Sequence, residues 1–410
     1  MKLMSCLAAL AILCTAVGGV IAQQEQDAQE AEAQDDAQAQ DEAQPQDEAP
    51  VQEEAPVQEE AQEEAQPQDE APAQEQPPAQ DAAAADIATA ENVEMTTVVS
   101  DLVNPSGIAI QPETGHIFVS DSGALRVIKF DPADPSQVTE VITGFPQDVY
   151  GKGPMYNIGP LGLHFLSKNT LVVGGGGLVD GQELLRVYEL PEDGSAIPAD
   201  QMKTSLGPIE AGEQSQSGEG NFYDLAATEN ALFVTSNGDD TKGWVLRATI
   251  ADGSLSDLQT FIATKEKTSV DAPVGIAINP TGPHVVVGQM GEITVPQDSL
   301  LTFYHPESGE MLLNLETGLF DITALEYAPS GRLYTTDFAW MDTSQGGLFR
   351  LEKITAEDGT QGVQGVRIAT LEKPAAMIFG TDGALYVTVF NEAPEPDSKT
   401  GAVVKFTGNF

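Results

Sequence analysis

The chain has 410 residues and a formal net charge of −46, with 64 acidic residues against 18 lysines and arginines. A charge of this size repels nucleic acid and anionic membrane surfaces, so the composition argues against both as partners. The acidity is not confined to one segment, because residues 91–410 alone contain 43 acidic and 17 basic residues. The length suits two or three average domains or one large all-β domain.

Residues 1–22 have the layout of a signal peptide. Lys2 is followed by an apolar run that ends at Ala22, and a charged start, an apolar stretch and a small-residue exit are typical of a cleaved export signal. We therefore expect a secreted protein or one of the periplasm or cell envelope. An uncleaved anchor is the alternative, since the run approaches a membrane-spanning length. Both cysteines, Cys6 and Cys14, lie here, so the mature chain would have no disulfide and no cysteine nucleophile.

Residues 23–90 consist almost entirely of Glu, Asp, Gln, Ala and Pro, with 21 carboxylates and no lysine or arginine. Such a segment has too little apolar surface to offset the entropy of ordering. We predict a disordered acidic linker that extends by self-repulsion. A polyanionic tail that gathers cations or basic partners is the functional alternative to a solvated spacer.

Residues 91–410 contain six copies of one pattern, in which short β-rich runs are separated by Gly, Pro and Asp. The clearest copy, Pro105–Phe130, has three such runs. The aligned positions in the six first strands, 49 to 62 residues apart, are Gly107, Gly162, Asp224, Gly275, Ala324 and Ala376. Five of these six residues are small, and Asp224 is the exception. Small residues suit innermost strands that crowd around a central channel. The pattern predicts an all-β fold, a six-bladed β-propeller with four strands per blade.

The position of the fourth strands predicts how the ring closes. A β-rich run stands before the next first strand in several copies, whereas the last copy ends at Phe410 without one. The run Met95–Ser100 before the first copy has the missing character. We therefore expect the strand around Thr96–Val99 to pair with the strand around Val403–Phe406 and complete the last blade. A β-sandwich would not explain six similar units.

Residues 105–130 resemble an NHL repeat, whose outline is Pro-x-Gly-Ile-Ala, a turn, Ile-Tyr-Val-x-Asp and then Arg-Ile-x-Lys-Phe. More loosely, residues 95–410 resemble the six-bladed group that contains NHL, SMP-30/gluconolactonase, strictosidine-synthase-like and sugar-dehydrogenase propellers. The resemblance implies a fold. It does not by itself imply an activity.

Acidic and amide side chains recur in the two sets of loops that share one face of a propeller. Those loops enter the first strands or join the second strands to the third, and they predict a ligand site at the channel mouth. The candidates are Asn104, Asn221, Asp224, Asp271 and Asp321 in the first set, and Asp121, Asn237, Asp239, Asp337 and Asn391 in the second. For Asp121, a local ion pair with Arg126 is the simpler interpretation.

Ca²⁺ is the cofactor that such oxygen-rich loops would suit best. The lactonase family holds its metal with Glu, Asn and Asp at mouth positions, and Asn221, Asn237 and Asp337 are the residues of this sequence that could substitute for them. The sequence departs from that family at two points. Pro105-Ser106-Gly107 stands where the family has Pro-Asn-Gly, and no Glu-Gly-Pro opens a first strand.

Two functions remain open from the sequence. The first is an exported, non-catalytic propeller that binds an unidentified small molecule or protein. The alternative is a Ca²⁺-dependent lactonase or esterase of the SMP-30/gluconolactonase type. The missing metal-ligand pattern favours the first, and the oligomeric state and the ligand are not readable from the sequence.

Overall fold

The computed structural model describes residues 88–238, 241–355 and 358–410. The predicted signal peptide, nearly all of the predicted acidic segment and Asp239 lie outside these ranges. Ala88, the first described residue, packs in the core of the propeller. Ala88 is fully buried, and its backbone N–H donates to the carbonyl of Asn409 at 2.7 Å.

The described chain forms six four-stranded antiparallel sheets and a separate two-stranded hairpin. Strand β1 (Glu94–Leu102) precedes blade 1, which contains β2 (Pro105–Ile110), β3 (Ile117–Asp121), β4 (Arg126–Asp131) and β5 (Asp134–Thr143). The hairpin follows as β6 (Asp148–Tyr150) and β7 (Tyr156–Ile158). Blade 2 contains β8 (Pro160–Phe165), β9 (Thr170–Gly175), β10 (Leu185–Glu189) and β12 (Thr204–Leu206), while β11 (Ile197–Pro198) pairs in parallel with β5 of blade 1.

The later blades repeat the arrangement with shorter connections. Blade 3 contains β13 (Phe222–Ala227), β14 (Ala231–Ser236), β15 (Trp244–Ala251) and β17 (Gln259–Ala263), with β16 (Ser254–Leu255) also pairing with β15. Blade 4 contains β18 (Pro273–Ile278), β19 (Val285–Gln289), β20 (Leu300–Tyr304) and β21 (Met311–Glu316). Blade 5 contains β22 (Ile322–Tyr327), β23 (Leu333–Asp337), β24 (Gly347–Thr355) and β25 (Gln361–Ala369).

Blade 6 closes the ring. It contains β26 (Pro374–Phe379), β27 (Leu385–Val389) and β28 (Gly401–Thr407), and its outermost strand is β1 from the start of the fold. Thr97 lies opposite Val404, and Val99 lies opposite Val403. The predicted six-bladed propeller and the predicted closing strand are both confirmed. The last blade is thus completed by a strand from the start of the fold, which joins the two ends of the chain and closes the ring.

Crowding of the innermost strands explains the small residues that the repeats share. A Cβ added to Gly107 would lie 2.2 Å from the carbonyl oxygen of Leu161 in the next blade, which no real side chain tolerates. A Cβ added to Gly275 would lie 2.9 Å from the backbone of Ala324. Glycine is therefore required here by the close approach of neighbouring strands.

Large apolar side chains fill the spaces between neighbouring blades. One cluster joins blade 4 to blade 5 through residues such as Val286 and Leu325. Val285 and Val287, on either side of Val286, belong to the cluster between blades 3 and 4, because successive side chains of a strand point to opposite faces. Helix in the described ranges is limited to α1 (Thr264–Thr268) and one 3₁₀ turn. Neither is long or apolar enough to cross a membrane.

Candidate functional site

Aromatic side chains converge on the channel axis at the face where the first strands begin. They come from the hairpin and from blades 3, 5 and 6, and line one pocket: Tyr150, Tyr156, Tyr223, Phe338, Trp340 and Phe390. The centroids of Phe338 and Trp340 are 4.6 Å apart, and those of Tyr156 and Phe390 are 5.1 Å apart. These separations are in the range of favourable edge and offset ring contacts.

The floor of this pocket is a tyrosine from blade 3. Tyr223 Oη donates to the carbonyl oxygen of Ala375 in blade 6, at 3.0 Å. Blades 3 and 6 are separated by two blades in either direction around the ring, so they face each other across the channel. The Tyr223 side chain therefore spans the channel and divides the mouth from the interior.

The roof of the pocket is the β6–β7 hairpin. Tyr150 and Tyr156 both belong to it, and their rings lie 6.0 Å and 5.6 Å from that of Trp340. The Oη of Tyr150 accepts a hydrogen bond from Asn237 Nδ2 at 3.0 Å. At the hairpin tip, Lys152 Nζ lies 3.9 Å from Glu292 Oε2, and both side chains are largely exposed. The hairpin thus contacts blades 3, 4 and 5 through side chains.

Two predicted ligand residues instead hold the aromatic loop of blade 5. Asp337 Oδ1 accepts the backbone N–H groups of Asp321 and Ala339, and its Oδ2 accepts that of Phe320, at 2.9–3.1 Å. Asp321 Oδ2 accepts the N–H of Trp340 at 2.7 Å. Burial, and then the nearby Asp337 carboxylate, raises the pKa of Asp321 to about 7. These carboxyls fix the segment that carries Phe338 and Trp340.

Lys373 is the cation nearest the aromatic cluster. It is 6% exposed, and its Nζ donates to Tyr156 Oη at 2.5 Å. The same Nζ lies 5.2 Å from the centroid of the Tyr156 ring. Burial lowers the pKa of Lys373 from its usual range. Burial, followed by the charge of Glu372, raises the pKa of Tyr156, so the phenol is protonated at neutral pH.

The structure brings two of the ten predicted residues to the aromatic mouth. Asn221 and Asn237 both line it, and Asn221 Nδ2 donates to the backbone carbonyl of Asn237 at 3.2 Å. The third proposed Ca²⁺ ligand, Asp337, uses both oxygens on backbone N–H groups and does not line the pocket. Within the described ranges, no three His, Cys, Asp or Glu side chains are grouped to hold a metal.

Four other predicted residues make local contacts near the same face. Asn104 Nδ2 donates to the carbonyls of Asn157 and Pro396. Asp121 is fully buried and forms an ion pair with Arg126 at 2.8 Å. The remaining two also have close partners: Asp271 pairs with Lys265 at 2.6 Å, and Asn391 Nδ2 donates to the carbonyl of Thr400 at 2.7 Å. Of these four, Asp271 alone borders a recess beside the hairpin tip.

Asp224 lies inside the channel and not in the mouth pocket. It lines a cavity of about 410 Å³ below Tyr223, together with Glu326 and His164. Asp224 accepts N–H groups from Leu225 and from Ile276 of the next blade. Burial raises the pKa of Asp224 to about 7 and that of Glu326 to about 8, the latter also through the charge of Asp224. Burial lowers the pKa of His164 to about 4.

The mouth residues that sequence reasoning missed are mainly the hairpin tyrosines and Phe390. Short three-residue strands such as β6 and β7 leave little periodic signal. The available signal was the recurrence of aromatic residues just after second strands, as in Phe338, Trp340 and Phe390. In blades 5 and 6, which carry aromatic residues at that position, these residues line the mouth pocket.

Comparison with solved structures agrees with this architecture. The chain is similar to a gluconolactonase from Xanthomonas campestris, with 16% identity, coverage of 78% of this chain and 91% of that one, and a TM-score of 0.51. It is also similar to a glucose dehydrogenase, with 15% identity, coverage of 77% of this chain and 99% of that one, and a TM-score of 0.52. A luciferin-regenerating enzyme is 12% identical, with coverage of 77% of this chain and 95% of that one, and a TM-score of 0.51. No protein-family model and no curated protein sequence matches the chain. At these identities the likeness shows a shared fold, the six-bladed propeller of the SMP-30/gluconolactonase kind.

Proposed function

We propose that this chain is an exported β-propeller that binds a small ring-shaped organic molecule at its aromatic mouth. The supporting observation is the convergence of six aromatic rings from the hairpin and three blades on the channel axis. Small-molecule sites are typically concave and mostly apolar, with a few polar groups that set orientation. Here Asn221 and Asn237 are such groups, beside Ser106 and Thr323.

The geometry favours a planar or flat-faced ring. Tyr223 forms a floor and Tyr156 a roof, and aromatic walls stack on other aromatic rings or on the apolar face of a sugar ring. The free volume between floor and roof is a cavity of about 60 Å³, well below the roughly 300–1,000 Å³ of typical ligand pockets. Binding therefore requires the hairpin to move.

Intrinsic fluorescence provides a direct test. The chain has two tryptophans, Trp244 and Trp340, so a Trp244→Phe variant isolates the mouth residue. Titration with benzamide, a neutral planar ring, should change the Trp340 emission in a saturable way. Trp340→Phe with Trp244 retained is the matched control and should give no saturable change. An unchanged Trp340 emission at high benzamide concentration would contradict the proposal.

Hydrolysis of a lactone or small ester is the second candidate, and the gluconolactonase among the structural neighbours favours it. Asn221 and Asn237 are available to hold a substrate carbonyl or hydroxyl group, but no Ca²⁺ donor set is assigned. A pH-stat assay with glucono-1,5-lactone, with Ca²⁺ and with EDTA, separates the two functions. Turnover that Ca²⁺ restores after EDTA supports the hydrolase, whereas saturable binding without turnover supports the binder.

Export and the acidic segment complete the proposal. The apolar run in residues 1–22, which has the layout of an export signal, supports an extracytoplasmic location. The net charge of residues 91–410 supports soluble partners that are neutral or cationic over nucleic acid or anionic membranes. Amino-terminal sequencing of the exported protein tests this: a mature chain starting near Gln23 is expected, and one that retains Met1 contradicts cleavage.

A further inference from the structure

Lys373 is a buried lysine without an ion-pair partner in the described part of the chain. Its ammonium has one hydrogen-bond acceptor, the neutral phenol of Tyr156. By contrast, Lys265 near the same face pairs with a carboxylate at 2.6 Å. A buried charge is costly unless it is paired. The missing counter-charge is notable in a chain whose acidic residues outnumber its basic ones more than threefold.

The carboxylates nearest Lys373 do not serve as its ion-pair partner. Glu372 and Glu392 act on it at longer range, but neither forms an ion pair with it in the described structure. Both belong to the same blade as Lys373, on the connections before β26 and after β27. On the other side, Lys373 contacts the mouth: its carbonyl accepts the N–H of Phe390 at 3.0 Å, and Tyr156 lines the pocket.

We propose that the mouth takes a ring-bearing organic acid, whose carboxylate forms an ion pair with Lys373 when the β6–β7 hairpin lifts Tyr156 away from that ammonium. This inference rests on the proposed function and names the ligand class for the same site. The ring of the ligand occupies the space between Tyr223 and Trp340. Its carboxylate supplies the negative charge that Lys373 lacks in the closed pocket.

Lifting the hairpin breaks no sheet pairing with a blade, although it does break the bonds from the Asn157 N–H to the carbonyl of Pro396 and from Asn104 Nδ2 to the carbonyl of Asn157. Its two strands pair only with each other and with no blade, and an isolated two-stranded hairpin is marginally stable in water. Gly144 and Gly159 flank it; Gly144 has φ +80° and open space around its Cβ position. The hydrogen bonds from Asn237 Nδ2 to Tyr150 Oη and from Lys373 Nζ to Tyr156 Oη would break when the hairpin lifts.

Isothermal titration calorimetry on the full chain tests the ligand class with two probes of the same shape. Benzoate and benzamide differ mainly in charge. The protein should bind benzoate about tenfold or more tightly than benzamide, because a charge-assisted hydrogen bond to Lys373 is available only to the acid. Lys373→Met should abolish this preference and leave benzamide binding similar. Lys203→Met, at an exposed lysine paired with Glu189, is the matched control.

A second variant tests the proposal even if the Lys373→Met protein does not fold. Tyr156→Phe removes the phenol that occupies the ammonium, so benzoate affinity should rise while benzamide affinity changes little. Equal binding of benzoate and benzamide, or an unchanged preference in Lys373→Met, overturns the acid assignment but leaves the ring pocket standing. Failure of both probes to bind overturns the ring pocket as well.

Discussion

Tyr223 in blade 3 donates a hydrogen bond across the channel to the carbonyl oxygen of Ala375 in blade 6, at 3.0 Å. The contact divides the channel into a mouth lined by aromatic rings and an interior that contains Asp224 and Glu326. The proposed ring pocket and the carboxyls of Asp224 and Glu326 therefore lie in different compartments. The predictions for the mouth and for the interior can be tested separately.

Locking the hairpin should block the mouth. In a Cys6→Ser, Cys14→Ser background, cysteines placed at Lys152 and Glu292 can be joined by a short bismaleimide, since these side chains approach within 3.9 Å. The cross-linked protein should lose benzamide binding, measured by Trp340 fluorescence, because the closed pocket offers only about 60 Å³.

The same double-cysteine protein capped with N-ethylmaleimide is the control and should bind as the parent does. Full affinity in the cross-linked protein would show that ligand reaches the mouth without hairpin movement.

Asp337→Asn should destabilise the fold, because one side-chain oxygen can no longer serve the three N–H groups that the carboxylate accepts. Leaving buried donors unsatisfied costs about 1–3 kcal/mol. Urea denaturation measures this loss. Asp342→Asn, on an exposed position of the same loop, should change the free energy of unfolding by less than about 0.5 kcal/mol. Comparable stability of the two variants would contradict the structural role of Asp337.

Substitution in the closing strand tests the ring. Val99 is 5% exposed and lies opposite Val403, whereas Thr97 on the same strand is exposed and lies opposite Val404. Val99→Asp places an unpaired carboxylate in the interior and should cost more than about 3 kcal/mol. Thr97→Asp should cost less than about 1 kcal/mol. Thermal unfolding that ranks the two the other way would place β1 outside the blade.

Glu326 should make the protein less stable as the pH rises. Its pKa is raised to about 8 in the folded state from an ordinary value of 4.5, so the folded state holds its proton more tightly than the unfolded chain does. By linkage, the stabilisation is present at low pH and is lost between about pH 4.5 and pH 8. Glu326→Gln removes this loss and should be more stable than the parent at pH 8.5 by about 1–3 kcal/mol.

The measurement is urea unfolding of both proteins between pH 6.5 and pH 9, a window above the titration of His164, whose lowered pKa acts in the opposite direction. Asp224 is present in both proteins, so its own effect on the pH dependence of stability is common to them. Removal of the Glu326 charge also makes Asp224 easier to ionise. Glu310→Gln, at an exposed position with an unburied carboxylate, is the control. Parallel pH profiles for the parent and Glu326→Gln would contradict a raised pKa.

The repeats made most of the fold predictable from the sequence. Gly107 and Gly275 mark where inner strands approach each other, and packing of this kind leaves a small residue at the same position in five of the six blades. The fourth strand of blade 2 was not predicted, because β12 has three residues and follows a long connection. Part of that connection, β11, pairs with blade 1, a contact that no local pattern encodes.

The site was less predictable because the same residue type serves two purposes. An aspartate at the end of a second strand can bind a ligand or accept backbone N–H groups, and Asp121 and Asp337 both do the latter. Only the path of the neighbouring loop decides between these roles. The contact of the Lys373 ammonium with the Tyr156 phenol likewise depends on the hairpin, which the sequence did not reveal.

A crystal structure of the protein with saturating benzoate is the most direct test of the central claim. The account predicts the ring between Tyr223 and Trp340, a carboxylate oxygen within about 3.2 Å of Lys373 Nζ, and the β6–β7 hairpin displaced from its closed position. An empty mouth under a hairpin that still holds Tyr156 on Lys373 would contradict it.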